Sequence, residues 1–172
     1  MALGWLRLAW LEKGGPRASR AAPRGGGAPH VQFSFRQAQA WFTAFLAEAH
    51  CRARRFETAL ELASQSLELA RATGTPPGIG WAARTLGHIA HARGALGDAQ
   101  DHLHEALRAF EGAEAEFEIA RTHLDLAELA RARGDASAPA HLAEAGGRLR
   151  ALGVTNWTER VEALTRAWGA TV

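Results

Sequence analysis

A chain of 172 residues with a formal charge of +2, 47% hydrophobic and 22% charged, suits one compact unit or a short repeat array and excludes two sizeable domains. One cysteine, Cys51, excludes an internal disulfide framework and fits a reducing compartment, so a cytoplasmic protein is expected. Strong helix formers dominate while Val, Ile and Thr are few and Tyr is absent, which predicts an all-α fold.

In chain order, residues 1–13 are apolar around Trp5, Leu6, Leu8 and Trp10 and predict a short helix. Arg7 interrupts the run, and neither a secretory cleavage site nor a membrane-spanning stretch is present. Residues 14–30 hold five Gly, three Pro and three Arg with almost nothing to bury, and predict a flexible basic linker. The ordered body is expected over 31–172, with helices near 38–53, 55–73, 80–93, 96–113, 116–133, 137–152 and 157–168. Apolar residues follow helical spacing at Phe56, Ala59, Leu60, Ala63 and Leu67, and again at Leu96, Ala99, Leu103, Ala106 and Phe110. Breaks are placed at Gly94, at Gly134 and at the Gly-Thr-Pro-Pro-Gly run of 74–78. Asn156-Trp157-Thr158-Glu159 reads as a capped start for a terminal lid with Trp157, Val161, Leu164 and Trp168 on one face.

The body repeats itself at a shift of 40 residues. Phe45-Leu46-Ala47 falls on Thr85-Leu86-Gly87 and then on Asp125-Leu126-Ala127, while Leu103 meets Leu142 one residue early, which implies a one-residue deletion in the last unit. Units of about 38–74, 78–114 and 116–153 follow, with a capping helix over 156–168.

Small and large residues alternate at fixed positions of each helix pair, best seen in Leu86, Gly87, Gly94, Ala99, Leu103 and Ala106. This pattern resembles the tetratricopeptide repeat. The period of 40 exceeds the standard 34 and is similar to the extended variety in C-terminal regions of bacterial signalling ATPases, class III adenylate or guanylate cyclases and maltose-regulator-type activators. The resemblance implies a right-handed α-solenoid of antiparallel helix pairs that binds a protein or peptide in a concave groove built from the first helix of each unit. It places Trp41, Ala44, Glu48, Cys51 and Arg52 there from unit one. Unit two supplies Trp81, Arg84, His88 and His91, and unit three supplies Arg121, Leu124, Glu128 and Arg131. Arginines outnumber glutamates among them, which suits a partner with acidic and apolar residues. The alternative placement for Trp41 and Trp81 is packing at unit junctions. The Lys and Asn clamp for a C-terminal carboxylate is absent, since Lys13 and Asn156 lie outside these helices.

Eight histidines raise the question of a metal. His88 and His91 share a helix face, but His102 and His104 diverge and no HExxH is present, so neither metal nor cofactor is expected. Cys51 cannot meet the adjacent His50 as nucleophile and base, and GTPPGIG lacks the context of a phosphate loop. Glu111, Glu114, Glu116 and Glu118 read as a solvated loop and first helical turn. The leading expectation is a non-enzymatic, regulatory protein-interaction module of a bacterial signalling system, without membrane and without nucleic acid. A small His-dependent metal hydrolase, or a nucleic-acid accessory protein acting through the basic segment 7–24, are the alternatives.

Overall fold

The computed structural model describes residues 35–169, so the expected helix at 1–13 and linker at 14–30 lie outside the described residues. Seven helices follow one another with no strand among the described residues: α1 Phe35–Arg52, α2 Phe56–Ala72, α3 Pro76–Ala92, α4 Leu96–Gly112, α5 Glu116–Arg133, α6 Ala138–Ala151 and α7 Thr155–Gly169. The fold is an all-α helical-repeat solenoid resembling tetratricopeptide arrays. Its tightest pairs are α1 with α2, α3 with α4 and α5 with α6, and α3 also packs on α1.

Every turn is built alike. Arg54, Gly74, Gly94, Glu114, Gly134 and Gly153 have positive φ, at a spacing of 20 residues that shortens to 19 at the last step. The residue after each one donates its N–H five positions back, as Arg55 to His50, Ala95 to Ala90, Asp135 to Ala130 and Val154 to Leu149. These are Schellman caps, in which a left-handed residue lets the last carbonyls of a helix find donors. Glycine occupies four of the six positions, and Arg54 and Glu114 adopt the same conformation against their steric preference. The shortened step lies across α6, the shortest helix at 14 residues, where the repeat comparison placed a deletion.

The Gly-Thr-Pro-Pro-Gly run breaks the chain earlier than expected. Helix α3 begins at Pro76, with proline in its first turn, because those positions have no intrahelical N–H bond to lose. Gly78 and Gly80 serve packing inside the helix. A Cβ at Gly78 would lie 3.2 Å from Trp41 Cδ1, and one at Gly80 would lie 2.5 Å from Phe110 Cε1. Helix α7 likewise starts at Thr155, ahead of the expected cap. Asn156 is inside the helix, and its Oδ1 accepts the Trp157 N–H at 3.0 Å in place of a capping box.

The repeated small residues sit where helices touch. Ala47 and Ala127 are fully buried, and a Cβ at Gly87 would lie 2.9 Å from Leu103 Cδ2. The repeated leucines differ. Leu86 packs with Ala47, Ala63 and Leu67, and Leu126 with Ala99 and Leu103, whereas Leu46 is 50% exposed. A last core cluster joins α5, α6 and α7 through Leu124, Leu142, Leu149 and Val161. No helix among the described residues is long and apolar enough to cross a membrane.

Candidate functional site

Eleven of the thirteen residues assigned to the groove fall into three environments, and Cys51 and Arg131 lie outside them. The first is aromatic packing. Trp41 and Trp81 meet edge to face at 5.6 Å, and Trp81 also contacts Phe45 at 4.8 Å and Phe110 at 6.3 Å. Both indoles are half-buried at the α1–α3 junction, the placement named as the alternative to a binding role. Fully buried Ala44 lies on the same helix face, three residues beyond Trp41.

The second is a chain of charges. Arg84 is only 2% exposed, lies over the Phe110 ring at 5.3 Å and donates to the Glu118 carboxylate. Arg121 bridges Glu118 at 3.3 Å and Glu48 at 3.1 Å, and Glu48 in turn takes Arg52 at 2.6 Å. Guanidinium and carboxylate therefore alternate across α1, α3 and α5. Burial raises the Glu48 carboxyl, but Arg121, Arg84 and Arg52 outweigh it and hold the group below its ordinary 4.5. Glu118 is not the solvated first-turn residue its sequence context suggests, because its side chain is 18% exposed and neutralises the buried arginine. Its neighbour Glu116 pairs with Arg148 at 2.6 Å.

The third is a cavity of about 520 Å³. Arg52, His88, His91, Arg121, Leu124 and Glu128 line it, as six of the expected groove residues. Gly87, Ala92, Leu103, Asp125, Trp157 and Arg160 complete its wall. Asp125 accepts from His88 Nε2 at 2.9 Å. Burial raises the Asp125 carboxyl, yet His88, Arg84 and Arg121 carry it below its ordinary 3.8. Trp157 is flanked by Arg121 at 5.3 Å and Arg160 at 5.4 Å, and meets Phe117 edge to face at 5.8 Å. Arg160 also reaches Glu128 at 3.2 Å. Arg131 stands away from this wall, exposed and over the Trp168 ring at 5.0 Å.

The surroundings of the assigned residues are therefore less basic than the arginine count implied. Glu118 and Asp125, both on the first helix of unit three, were absent from the expected set and cancel two of the positive charges. Trp157 and Arg160 were assigned to a lid and also complete the cavity wall. Cys51 is 9% exposed against Ala59 and Ile89, and burial together with Glu48 raises its thiol despite Arg52, which keeps it protonated and unreactive.

His102 and His104 form no ligand set, and no group of three or more His, Cys, Asp or Glu suited to a metal occurs among the described residues. One histidine contact escaped the repeat comparison: His123 and His141 face each other with Nδ1 atoms 3.1 Å apart. They lie 18 positions apart on the two antiparallel helices that the Gly134 turn joins, so the contact depends on the packing of α5 against α6 and not on spacing along one helix.

Comparison with known proteins finds no match among curated proteins and none among solved structures. Residues 36–112, which run from α1 through α4, match the tetratricopeptide repeat family, so this part of the chain is similar to the repeats that its turns, small residues and helix pairs had indicated.

Proposed function

We propose that the protein is a non-catalytic interaction module whose cavity, lined by α1, α3, α4, α5 and α7, receives a peptide segment of a partner protein. The carrying observation is the cavity itself: five helices contribute the half-buried Trp157 indole, apolar Leu124 and Leu103, and the guanidiniums of Arg52 and Arg160, which are 69% and 52% exposed. Such a wall suits an apolar side chain followed by a carboxylate, because aromatic area supplies burial and arginine supplies paired donors. Arg84 connects to the lining residue Arg121 through the shared Glu118 carboxylate. The similarity of the 40-residue units to extended repeats of signalling ATPases and cyclases supports a regulatory role in a bacterial, cytoplasmic signalling system. The helix pairs within 31–172 would then be the binding body and residues 1–30 a leader.

Selection from a random peptide library tests this. Enriched peptides should carry acidic residues beside apolar ones and should bind the Arg52→Glu, Arg160→Glu variant at least about tenfold more weakly, a loss of about 1.4 kcal/mol. Circular dichroism confirms that the variant is folded. Unchanged binding to the folded variant removes the cavity from the proposal.

A further inference from the structure

The His123–His141 contact joins α5 to α6 at the end of the array. Its ring centroids are 5.4 Å apart with the nitrogens 3.1 Å apart, so the centroid separation equals the nitrogen separation plus one ring radius at each end. The two Nδ1 atoms thus lie on the line between ring centres and their lone pairs face one another. A metal shared by both rings would need those lone pairs to converge on a point to one side. A single proton between them needs the geometry observed: one ring donates Nδ1–H and the other accepts with its hydrogen on Nε2. A second imidazolium would aim N–H at N–H.

We propose that His123 and His141 form a proton-sensitive latch that holds α6 and α7 against α5 near neutral pH and releases them on acidification. The groups facing the pair come from each packed element: His104 of α4, Glu144 and Arg148 of α6, and Asp135 of the preceding turn. Burial disfavours the charged rings, and for His123 the partner ring, Arg148 and His104 add to it while Glu144 opposes. For His141 burial and His104 act downward against Asp135. Both rings therefore sit below the ordinary 6.5. Stability is present above 6.5, where the unfolded rings are also neutral, and declines as pH falls from there toward the depressed folded values, because only the unfolded chain takes up both protons. Leu142, beside His141, packs in the cluster that includes Val161 of α7. Release of α6 therefore displaces Trp157 and Arg160, and the consequence for ligand capture rests on the cavity reading above.

The test uses the full chain. Long-range imidazole proton–nitrogen spectra should show His123 and His141 titrating together below 6.5, one ring with hydrogen on Nδ1 and the other on Nε2 at neutral pH. Urea midpoints measured at about pH 7.5 and 5.5, either side of the free histidine pKa, should fall further for wild type than for His141→Gln. Two independent titrations near 6.5, or an equal fall in the variant, overturn the latch. Neither measurement involves a peptide, so failure here leaves the cavity reading intact, and failure of peptide binding leaves the latch intact.

Discussion

Arg84 of α3, with 2% of its side chain exposed, donates to Glu118 of α5, 34 residues along the chain. A buried guanidinium survives only where carboxylates and hydrogen bonds replace its water. Glu118 does this directly, and Asp125 and Glu48 add charge from further away. Removing the carboxylate should therefore hurt more than removing the pair. Glu118→Ala is expected to cost about 3–5 kcal/mol, and Arg84→Met with Glu118→Gln to recover at least half of that loss. Urea denaturation of the single and double variants gives both numbers; a double variant as unstable as Glu118→Ala contradicts this view of the pair.

Acid should weaken the same charge chain by a separate route. Glu48 and Asp125 have folded pKa values below their ordinary 4.5 and 3.8. Such depressed carboxyls add stability above the unfolded values, and that stability is lost as pH falls through the folded ones. A plot of urea midpoint against pH should therefore drop steeply below about pH 4.5. Glu48→Gln and Asp125→Asn should each flatten this acid limb, while leaving the His123–His141 decline at higher pH in place.

The turns offer a stabilising change. Glu114 has φ 52° and makes no use of its side chain that would justify the strain, whereas its counterparts Gly74 and Gly94 have the same conformation with no Cβ. Glu114→Gly should raise stability by about 1 kcal/mol, and Gly94→Ala should lower it by a similar amount. Thermal melts of the two variants should move in opposite directions. The result would fail if Glu114→Gly melted below wild type.

The repeated leucines should give unequal losses. Leu103 is 2% exposed and packs against Gly87, so Leu103→Ala is expected to cost about 2–5 kcal/mol. Leu46 is 50% exposed, and Leu46→Ala should stay within about 0.5 kcal/mol of wild type. Equal losses in chemical denaturation would mean that α1 is covered by something beyond the described helices.

Most of the helical architecture was legible because its causes are local. Helical spacing at Phe56 through Leu67 marked the buried faces, and Gly94 and Gly134 marked the turns. Self-similarity did more, since it aligned Ala47, Gly87 and Ala127 and located the deletion in the last unit. Local rules failed at Pro76 and at Asn156. Proline can start a helix as well as end one, and a cap signature competes with whatever the preceding Schellman turn has already fixed.

The candidate site was half legible. The first-helix rule found Arg52, His88, His91, Arg121, Leu124 and Glu128, which do line one cavity. It also selected Arg84, which is buried, and Trp41 and Trp81, which are half-buried against each other, because a repeat pattern assigns a position to a helix face and says nothing of how deeply that face is covered. Sequence by itself determined the helices, their turns and their pairing, since hydrogen bonds and apolar periodicity act within about 20 residues. Tertiary structure alone decided which charges meet. Arg121 reaches Glu48 from 73 residues away and Arg84 meets Glu118 across 34, distances set by how one helix pair stacks on the next and invisible to any local spacing.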